Sequence, residues 1–188
     1  MARAIRRVVT GHDAAGKAVV VIDGAAPNVK VRTAAGGIVS TLLWVTDESP
    51  ADISGNADRA AREIGVAPPA RGSVFRVVDF PPVGDAGAID HDAVRRELGL
   101  VGDENRGGAP ARSPLMHRTK SVDYAIVMHG GIDMLLDDSE IHLEAGDVLV
   151  QQGTNHAWVN RGQETCRIAF VLIDAAAPPC PPDKGGGA

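Results

Sequence analysis

The sequence predicts an all-β protein whose strands form an antiparallel sandwich or barrel. Six short β-rich runs follow one another between residues 114 and 175, and no helical segment lies among them. Turn-forming residues separate these runs at near-even spacing, as at Gly130-Gly131 and Arg161-Gly162. The 22 Gly and 12 Pro residues among 188 also indicate many turns and short strands.

Residues 1–72 are predicted to form an N-terminal β arm, followed by a loop and helix segment. Up to residue 46, β-rich runs alternate with Gly turns, as in "KAVVVIDG" and "IVSTLLWVTD". One short helix is predicted over Ala57–Ile64, because Gly65 stands at the usual stop position of a helix. We expect this arm to pack on the barrel or to be exchanged with the barrel of a second copy of the chain.

Residues 73–175 are predicted to form the barrel itself. It begins with the strand "SVFRVVDF" and continues with a short helix, "DHDAVRREL", which Gly99 ends. The polar loop at 101–114 is either a lid or binding loop, or a disordered segment. The Pro- and Gly-rich tail at 176–188 is expected to be mobile or draped on the surface. The six runs between loop and tail are "SVDYAIVMH", "GIDMLLDD", "SEIHLEA", "GDVLVQQG", "HAWVNRG" and "TCRIAFVLIDA".

Composition and charge argue against several classes of protein. The net charge is −5 and no basic stripe is visible, so nucleic acid is not an expected partner. The longest apolar runs are far too short to span a bilayer, so no membrane association is expected. Two cysteines do not make a disulfide framework, and we therefore expect a cytoplasmic protein with reduced thiols.

The run at residues 116–129 has one polar face and one apolar face. Alternate residues of a strand point to opposite sides, so His117, Thr119 and Asp123 share a face if the strand begins that early. If this face points into the barrel, its groups converge on one cavity. The opposite face is expected to pack against an apolar partner, and it carries Val122, Tyr124, Ile126 and Met128.

A second candidate segment is "GTNHAWVN", at residues 153–160. His156, Trp158 and Asn160 share a parity there, and Gly153 lets the chain turn tightly just before them. Trp158 either lines a pocket or packs in the core. Of Gln151 and Gln152, which precede the segment, one is expected to point inward, where it would orient a substrate.

These two segments are similar to the two motifs of the cupin superfamily, whose members form a double-stranded β-helix. The family's first motif is G-x5-H-x-H-x3/4-E-x6-G, and its second is G-x5-P-x-G-x2-H-x3-N. The matching residues are His117, Thr119, Asp123 and Gly130 for the first motif and Gly146, Gly153, His156 and Asn160 for the second. The resemblance covers roughly residues 105–175 and implies a jelly-roll-like cupin barrel, with the N-terminal β arm and a few short helices added.

The chain departs from the cupin motifs at the positions that bind metal. Thr119 replaces the second histidine and Asp123 replaces the glutamate, while the second motif is one residue short and lacks its proline. The resemblance implies that His117, Asp123 and His156 bind a divalent Fe, Mn, Zn or Ni ion, which the missing ligand would leave weakly held. The alternative is a metal-free pocket lined by the same residues. No nucleotide cofactor is expected.

The resemblance implies an enzyme that acts on a small molecule inside the barrel. His117, Asp123 and His156 would polarise a carbonyl or hydroxyl group and move a proton, as a metal-assisted lyase, dehydratase, decarboxylase or dioxygenase requires. The predicted substrate contacts are Thr119, Gln151, Trp158 and Asn160. The resemblance also implies a role in secondary metabolism or aromatic catabolism. The alternative is a cupin that binds a ligand without converting it, and in either case a homodimer is expected.

Overall fold

The computed structural model of the protein describes residues 4–83, 91–100, 112–113 and 115–177. Of the polar loop predicted at 101–114, only residues 112 and 113 lie within the described part of the chain. Of the predicted tail at 176–188, only residues 176 and 177 do.

Strands are the main secondary structure of the described residues. β-branched residues recur in them, as in β5, where Val74, Val77 and Val78 favour extended chain. The elements are β1 (Arg6–His12), β2 (Ala18–Ala25), β3 (Val29–Arg32), β4 (Ile38–Thr46), β5 (Ser73–Phe80), α1 (His91–Leu98), β6 (Ser121–His129), β7 (Gly131–Leu135), β8 (Glu140–Glu144), β9 (Val148–Gln152), β10 (Ala157–Val159) and β11 (Cys166–Asp174).

Two antiparallel sheets form the barrel. The larger sheet has six strands in the order β3-β4-β5-β11-β6-β9, and the smaller has three in the order β10-β7-β8. Gly130 joins β6 to β7 with φ 70°, and a Cβ atom there would lie 3.0 Å from the carbonyl oxygen of Thr165, so the position requires glycine. The arrangement confirms the predicted all-β, jelly-roll-like barrel.

The hydrophobic core lies between the two sheets. It combines buried side chains such as Val78 and Ile168 from the larger sheet with Ile132 and Met134 from the smaller one. Three rings meet within it, since Trp158 lies 5.6 Å from Phe170 and 6.2 Å from Phe80, measured between ring centroids. This packing supplies the apolar walls of the cavity described below.

Two of the N-terminal strands, β3 and β4, belong to the larger sheet of the barrel. β3 pairs with β4, and β4 pairs with β5 across the predicted boundary at residue 72. β1 and β2 form a separate hairpin, which Arg7 ties down by donating to the carbonyl of Leu43 and to the carboxylate of Asp58.

The helix predicted over Ala57–Ile64 is wrong, because the chain forms only a turn and bends there. Side chains that are distant in sequence bind the backbone carbonyls and the carboxylate of this segment instead. The amide of Asn28 donates to the carbonyls of Ala60 and Arg62, and Asp58 faces Arg7 in an ion pair of 2.6 Å. Long-range hydrogen bonds thus override a weak local helix propensity.

The second predicted helix is confirmed as α1, although Asp90, at the start of the predicted run, lies outside the described residues. Gly99 follows the helix with φ 72°, and its N–H donates to the carbonyl of Arg96 while that of Leu100 donates to Arg95. This is the Schellman arrangement in which glycine is favoured. Among the described residues, no helix has both the length and the apolar character needed to cross a membrane.

The apolar face of β6 is exposed in the part of the chain that the structure describes. Tyr124 is 44% exposed, and Ile126 and Met128 are exposed as well. The polar face, with Ser121 and Asp123, is the buried one. The parity prediction therefore holds, but the expected apolar partner for the outer face is absent among the described residues of this chain.

Candidate active site

A cavity of about 90 Å³ lies inside the barrel between the two sheets. Its apolar wall includes Phe80, Leu115, Trp158 and Phe170. The polar and charged side chains that line it are Arg32, Ser40, Arg76, His117, Thr119, Asp123 and His156. The structure thus places three of the predicted site residues, His117, Asp123 and His156, on one cavity.

His117 and His156 lie opposite each other because their backbones are hydrogen-bonded. The N–H of each donates to the carbonyl of the other at 2.9 Å, which forms an isolated antiparallel bridge. Their ring centroids are 4.5 Å apart, with the ring planes tilted by 47°. His117 therefore lies before β6 begins, and the bridge rather than the strand positions it.

Both imidazoles are held in one tautomer. Nδ1 of His117 lies 2.8 Å from the carbonyl oxygen of Leu115, and Nδ1 of His156 lies 3.0 Å from that of Thr154. Since a carbonyl oxygen can only accept, each Nδ1 carries a hydrogen and each Nε2 keeps a free lone pair in the neutral ring.

Both imidazoles are neutral at physiological pH. Burial lowers the pKa of His117, and burial together with the nearby His117 lowers the pKa of His156 to about 3. The pair can accept hydrogen bonds from a ligand at Nε2 without adding charge to the cavity.

Asp123 is the acidic end of a buried hydrogen-bonded chain. Oγ of Ser121 donates to Oδ1 of Asp123 at 2.5 Å, and the amide of Gln151 donates to Oδ2 at 3.1 Å. The hydroxyl of Thr119 lies 2.7 Å from that of Ser121, so it donates when Ser121 donates to Asp123. The chain fixes the carboxyl group on the cavity wall, and Thr119 extends it to a second point on that wall.

The carboxyl of Asp123 is poised to exchange a proton near neutral pH. Burial raises the pKa of Asp123 to about 6, against the opposing effects of the Ser121 hydrogen bond and the charge of Arg76. A general base is most effective when its pKa lies near the working pH. Asp123 therefore fits a proton-transfer role better than either histidine.

The side chains present do not fit the predicted three-ligand metal centre. Within the described ranges, no three His, Cys, Asp or Glu side chains lie close enough together to hold one ion. Asp123 is engaged by Ser121 and Gln151 instead. The Nε2 atoms of His117 and His156 supply two ligands at most, fewer than the three protein ligands of typical catalytic zinc sites.

Two cavity residues, Arg32 and Arg76, were not predicted from the sequence. Arg32 ends β3 and Arg76 lies in β5, both far along the chain from the motif residues. One signal could have found Arg76, since it shares a strand face with Val74, Val78 and Phe80 and so places a charge on an apolar stripe.

The predicted substrate contacts divide into cavity and structural positions. Thr119 and Trp158 line the cavity, and Trp158 also belongs to the core cluster. Gln151 is buried against Asp123, which makes it a positioning residue, while Gln152 is exposed. Asn160 is not among the cavity-lining residues, because its amide nitrogen donates to the carbonyls of Phe80 and Glu164.

The chain is similar to several fungal proteins. It is 32% identical over 92% of its length to phomopsin biosynthesis cluster protein C' of Diaporthe leptostromiformis, of which it covers 80%. It is 29% identical over 93% of its length to cupin-domain-containing oxidoreductase fogC of Aspergillus ruber, of which it covers 74%. The solved cupin domain of Schizosaccharomyces pombe Cnp3 superposes with a TM-score of 0.44 at 9% identity, over 90% of this chain and 87% of that one. No protein-family model matches the chain.

Proposed function

Because this chain belongs to the cupin superfamily, we propose that its barrel cavity is the active site of an enzyme that converts a small organic molecule by proton transfer. The observation that carries the proposal is a buried carboxyl, Asp123, with a pKa raised to about 6 on the wall of the barrel cavity. Proton transfer of this kind serves lyase, dehydratase and decarboxylase reactions alike. The relatives from biosynthetic clusters support a role in secondary metabolism.

We assign one task to each part of the site. Asp123 takes a proton from the substrate or returns one to it, and Ser121 and Gln151 hold its carboxyl in place. His117 and His156 accept hydrogen bonds from substrate hydroxyl groups at Nε2, since their Nδ1 hydrogens are committed to backbone carbonyls. The aromatic wall at Phe80 and Trp158 packs against the hydrocarbon part and excludes water.

Two other functions compete with this one. Oxidoreductase chemistry is favoured by the name of the relative from Aspergillus ruber, and it includes the dioxygenase reactions expected from the sequence. A binding protein without turnover is the other candidate, favoured by the loss of the histidine at position 119 relative to the cupin motif.

The products of turnover distinguish the three functions. The purified protein is incubated with extracts of the source organism from which the gene has been deleted, with and without prior chelator treatment of the protein. Products are followed by mass spectrometry. We expect loss of water, loss of carbon dioxide or isomerisation, unchanged by the chelator. Gain of oxygen or a change in hydrogen content, restored by added Fe, Mn, Zn or Ni after chelation, would instead establish metal-dependent oxidoreductase chemistry. A compound that binds and is recovered unchanged would indicate a binding protein.

We also propose that two copies of the chain associate through the outer face of β6 and β9. Tyr124 is paired with Val150 and Ile126 with Val148 across these strands, and all four are exposed together with Met128. A contiguous apolar patch on a sheet surface is typical of an interaction site, and a two-fold axis would bury it against itself.

Replacing Ile126 with Asp is expected to convert the dimer to a monomer, because the carboxylate would be buried in an apolar interface. Light scattering coupled to gel filtration measures the mass of each variant. The matched control is Ile141→Asp, since Ile141 is equally exposed at 46% but lies on β8 in the smaller sheet. A wild-type monomer, or a dimer that survives Ile126→Asp but not Ile141→Asp, would contradict this interface.

A further inference from the structure

We infer that the substrate of this cavity is an organic carboxylate, which the guanidinium group of Arg76 binds with Arg32 beside it. The inference rests on the proposed function and names the substrate class for the same site. It depends on two buried arginines that the proton-transfer role of Asp123 does not use.

Arg76 places a positive charge in an apolar wall. It lies on the inner face of β5 between Val74 and Val78, and in the sheet it is paired with Leu42 and Phe170. Its side chain is 5% exposed. An arginine in such a position is costly to bury unless hydrogen bonds and an opposite charge compensate for its lost hydration.

The protein compensates Arg76 only in part. Its Nη2 donates to the carbonyl oxygens of Gly65 at 2.8 Å and Val66 at 3.0 Å, but its Nε is buried and has no hydrogen-bond partner in the described part of the chain. Among the residues that the structure describes, no carboxylate forms an ion pair with it. The nearby carboxyl of Asp123 already accepts from Ser121 and Gln151. An unfilled donor on a buried cation beside a cavity points to an acceptor supplied by a ligand.

Arg32 adds a second positive charge to the same cavity. It is 3% exposed, and its Nη1 donates to the backbone carbonyl of Glu97. The Glu97 carboxylate itself accepts from the N–H groups of Thr33 and Ala34. Burial, and then the charge of Arg32, lowers the pKa of Arg76 to about 10, so the two guanidinium groups repel each other. A bound anion would relieve this repulsion. The two neutral histidines do not change the net charge of the cavity.

The shape and lining of the cavity favour an organic carboxylate among anions. The planar guanidinium fork matches the two oxygens of a carboxylate. The cavity is small, at about 90 Å³, and much of its wall is apolar, with Phe80, Phe170 and Leu172. A carboxylate with a compact hydrocarbon part can satisfy the arginines and the apolar wall together, whereas a fully hydrated inorganic anion satisfies only the arginines.

Fluorescence of Trp158 provides a direct binding test. The chain has two tryptophans, so Trp44→Phe leaves Trp158, on the cavity wall, as the sole tryptophan. In this background we expect saturable changes with benzoate, and binding of benzamide, its neutral analogue, at least about tenfold weaker. Equal affinity for the two compounds would overturn the inference, and so would the absence of benzoate binding. Inorganic phosphate or chloride that competed as well as other carboxylates would overturn the assignment to organic acids.

Arginine variants locate the binding group. Arg76→Met should weaken benzoate by about tenfold or more and abolish its advantage over benzamide. Arg76→Lys, which keeps the charge but loses the fork, should restore part of the affinity. If Arg76→Met fails to fold, the lysine variant and the benzoate–benzamide comparison decide the question.

The matched control is Arg167→Met. Arg167 is ion-paired with Asp79 and is not among the cavity-lining residues, so benzoate affinity should stay within about twofold. Full benzoate affinity in Arg76→Lys and Arg76→Met would contradict the inference. Turnover that survived Asp123→Asn would refute the proton-transfer role and leave this result standing. Turnover that depends on Asp123, in a protein that ignores carboxylates, would refute only the carboxylate assignment.

Discussion

Asp123→Asn is expected to lower kcat by about 10²- to 10⁴-fold, the range that a general acid–base group contributes. Asparagine keeps the size of the side chain and still accepts a hydrogen bond from Ser121, but it cannot exchange a proton. The rate of substrate conversion, measured by mass spectrometry on the compound found in the extract assay, tests this directly.

The pH profile gives the same prediction a second readout. As a base, Asp123 must be ionised, so kcat/KM of the wild type should rise with pH through about 6 and then level off. The residual activity of Asp123→Asn should lack this limb. A wild-type profile that falls as pH rises through about 6 would instead identify Asp123 as the group that delivers a proton.

The raised pKa also has a consequence for stability. Because the folded-state pKa lies above its ordinary value of 3.8, the stability contribution of Asp123 is fully present below about pH 3.8 and is lost as pH rises through about 6. The loss amounts to about 3 kcal/mol. Asparagine does not titrate. The free energy of unfolding of Asp123→Asn, measured by urea unfolding, should therefore rise relative to that of the wild type across this pH window.

A second aspartate serves as the control for Asp123. Asp133 also accepts side-chain hydrogen bonds, from His142 and Arg161, but it lies outside the cavity. Asp133→Asn should leave turnover and the limb near pH 6 unchanged. Equal losses of activity in the two variants, each shown to be folded by circular dichroism, would contradict a specific role for Asp123.

The strands and their faces could be predicted because they depend on local pattern. The alternation of β6 correctly places Ser121 and Asp123 inside and Tyr124 outside. The same holds for turns at Gly99 and Gly130, whose positive φ angles favour glycine. The motif spacing also related segments that are distant in sequence. In the structure, His117 and His156 from these segments line one cavity.

The prediction that failed depends on long-range contacts that sequence spacing does not encode. The helix over Ala57–Ile64 gives way to contacts with Asn28 and Arg7. The three-ligand metal centre stays a prediction, and among the described residues Asp123 ends a chain of hydrogen bonds that begins at Thr119. A family motif predicts which positions face a cavity, whereas their chemistry depends on the residues that meet there.

The two arginines of the cavity also could not be predicted from the motif. Arg32 and Arg76 reach the cavity through the pairing of β3, β4 and β5, which belong to the predicted arm and to the first barrel strand. No motif includes them, and only the charge of Arg76 on an apolar strand face hints at a role. The positive charges of the cavity are therefore contributed from outside the segment that identifies the family.

Trp158→Ala is expected to lower the free energy of unfolding by about 3–5 kcal/mol, the usual cost of removing a large buried ring. Trp158 is 7% exposed, and its ring meets Phe80, Phe170 and His156 with centroid separations between 5.6 and 6.2 Å. Few domains have much more than 5–15 kcal/mol to lose, so the variant should be marginally stable. Urea unfolding followed by circular dichroism measures the change.

Two further variants separate packing from the mere presence of a tryptophan. Trp44→Ala should cost less, because Trp44 on β4 is only partly buried and lies outside the core cluster. Trp158→Phe should recover much of the loss, since a smaller ring can still pack against Phe80 and Phe170. Equal costs for Trp44→Ala and Trp158→Ala would mean that the aromatic cluster does not stabilise the barrel more than the partly buried Trp44 does. The ring that lines the cavity would then be free to serve binding alone, and benzoate titration of the folded Trp158→Phe variant would show how much of the affinity it supplies.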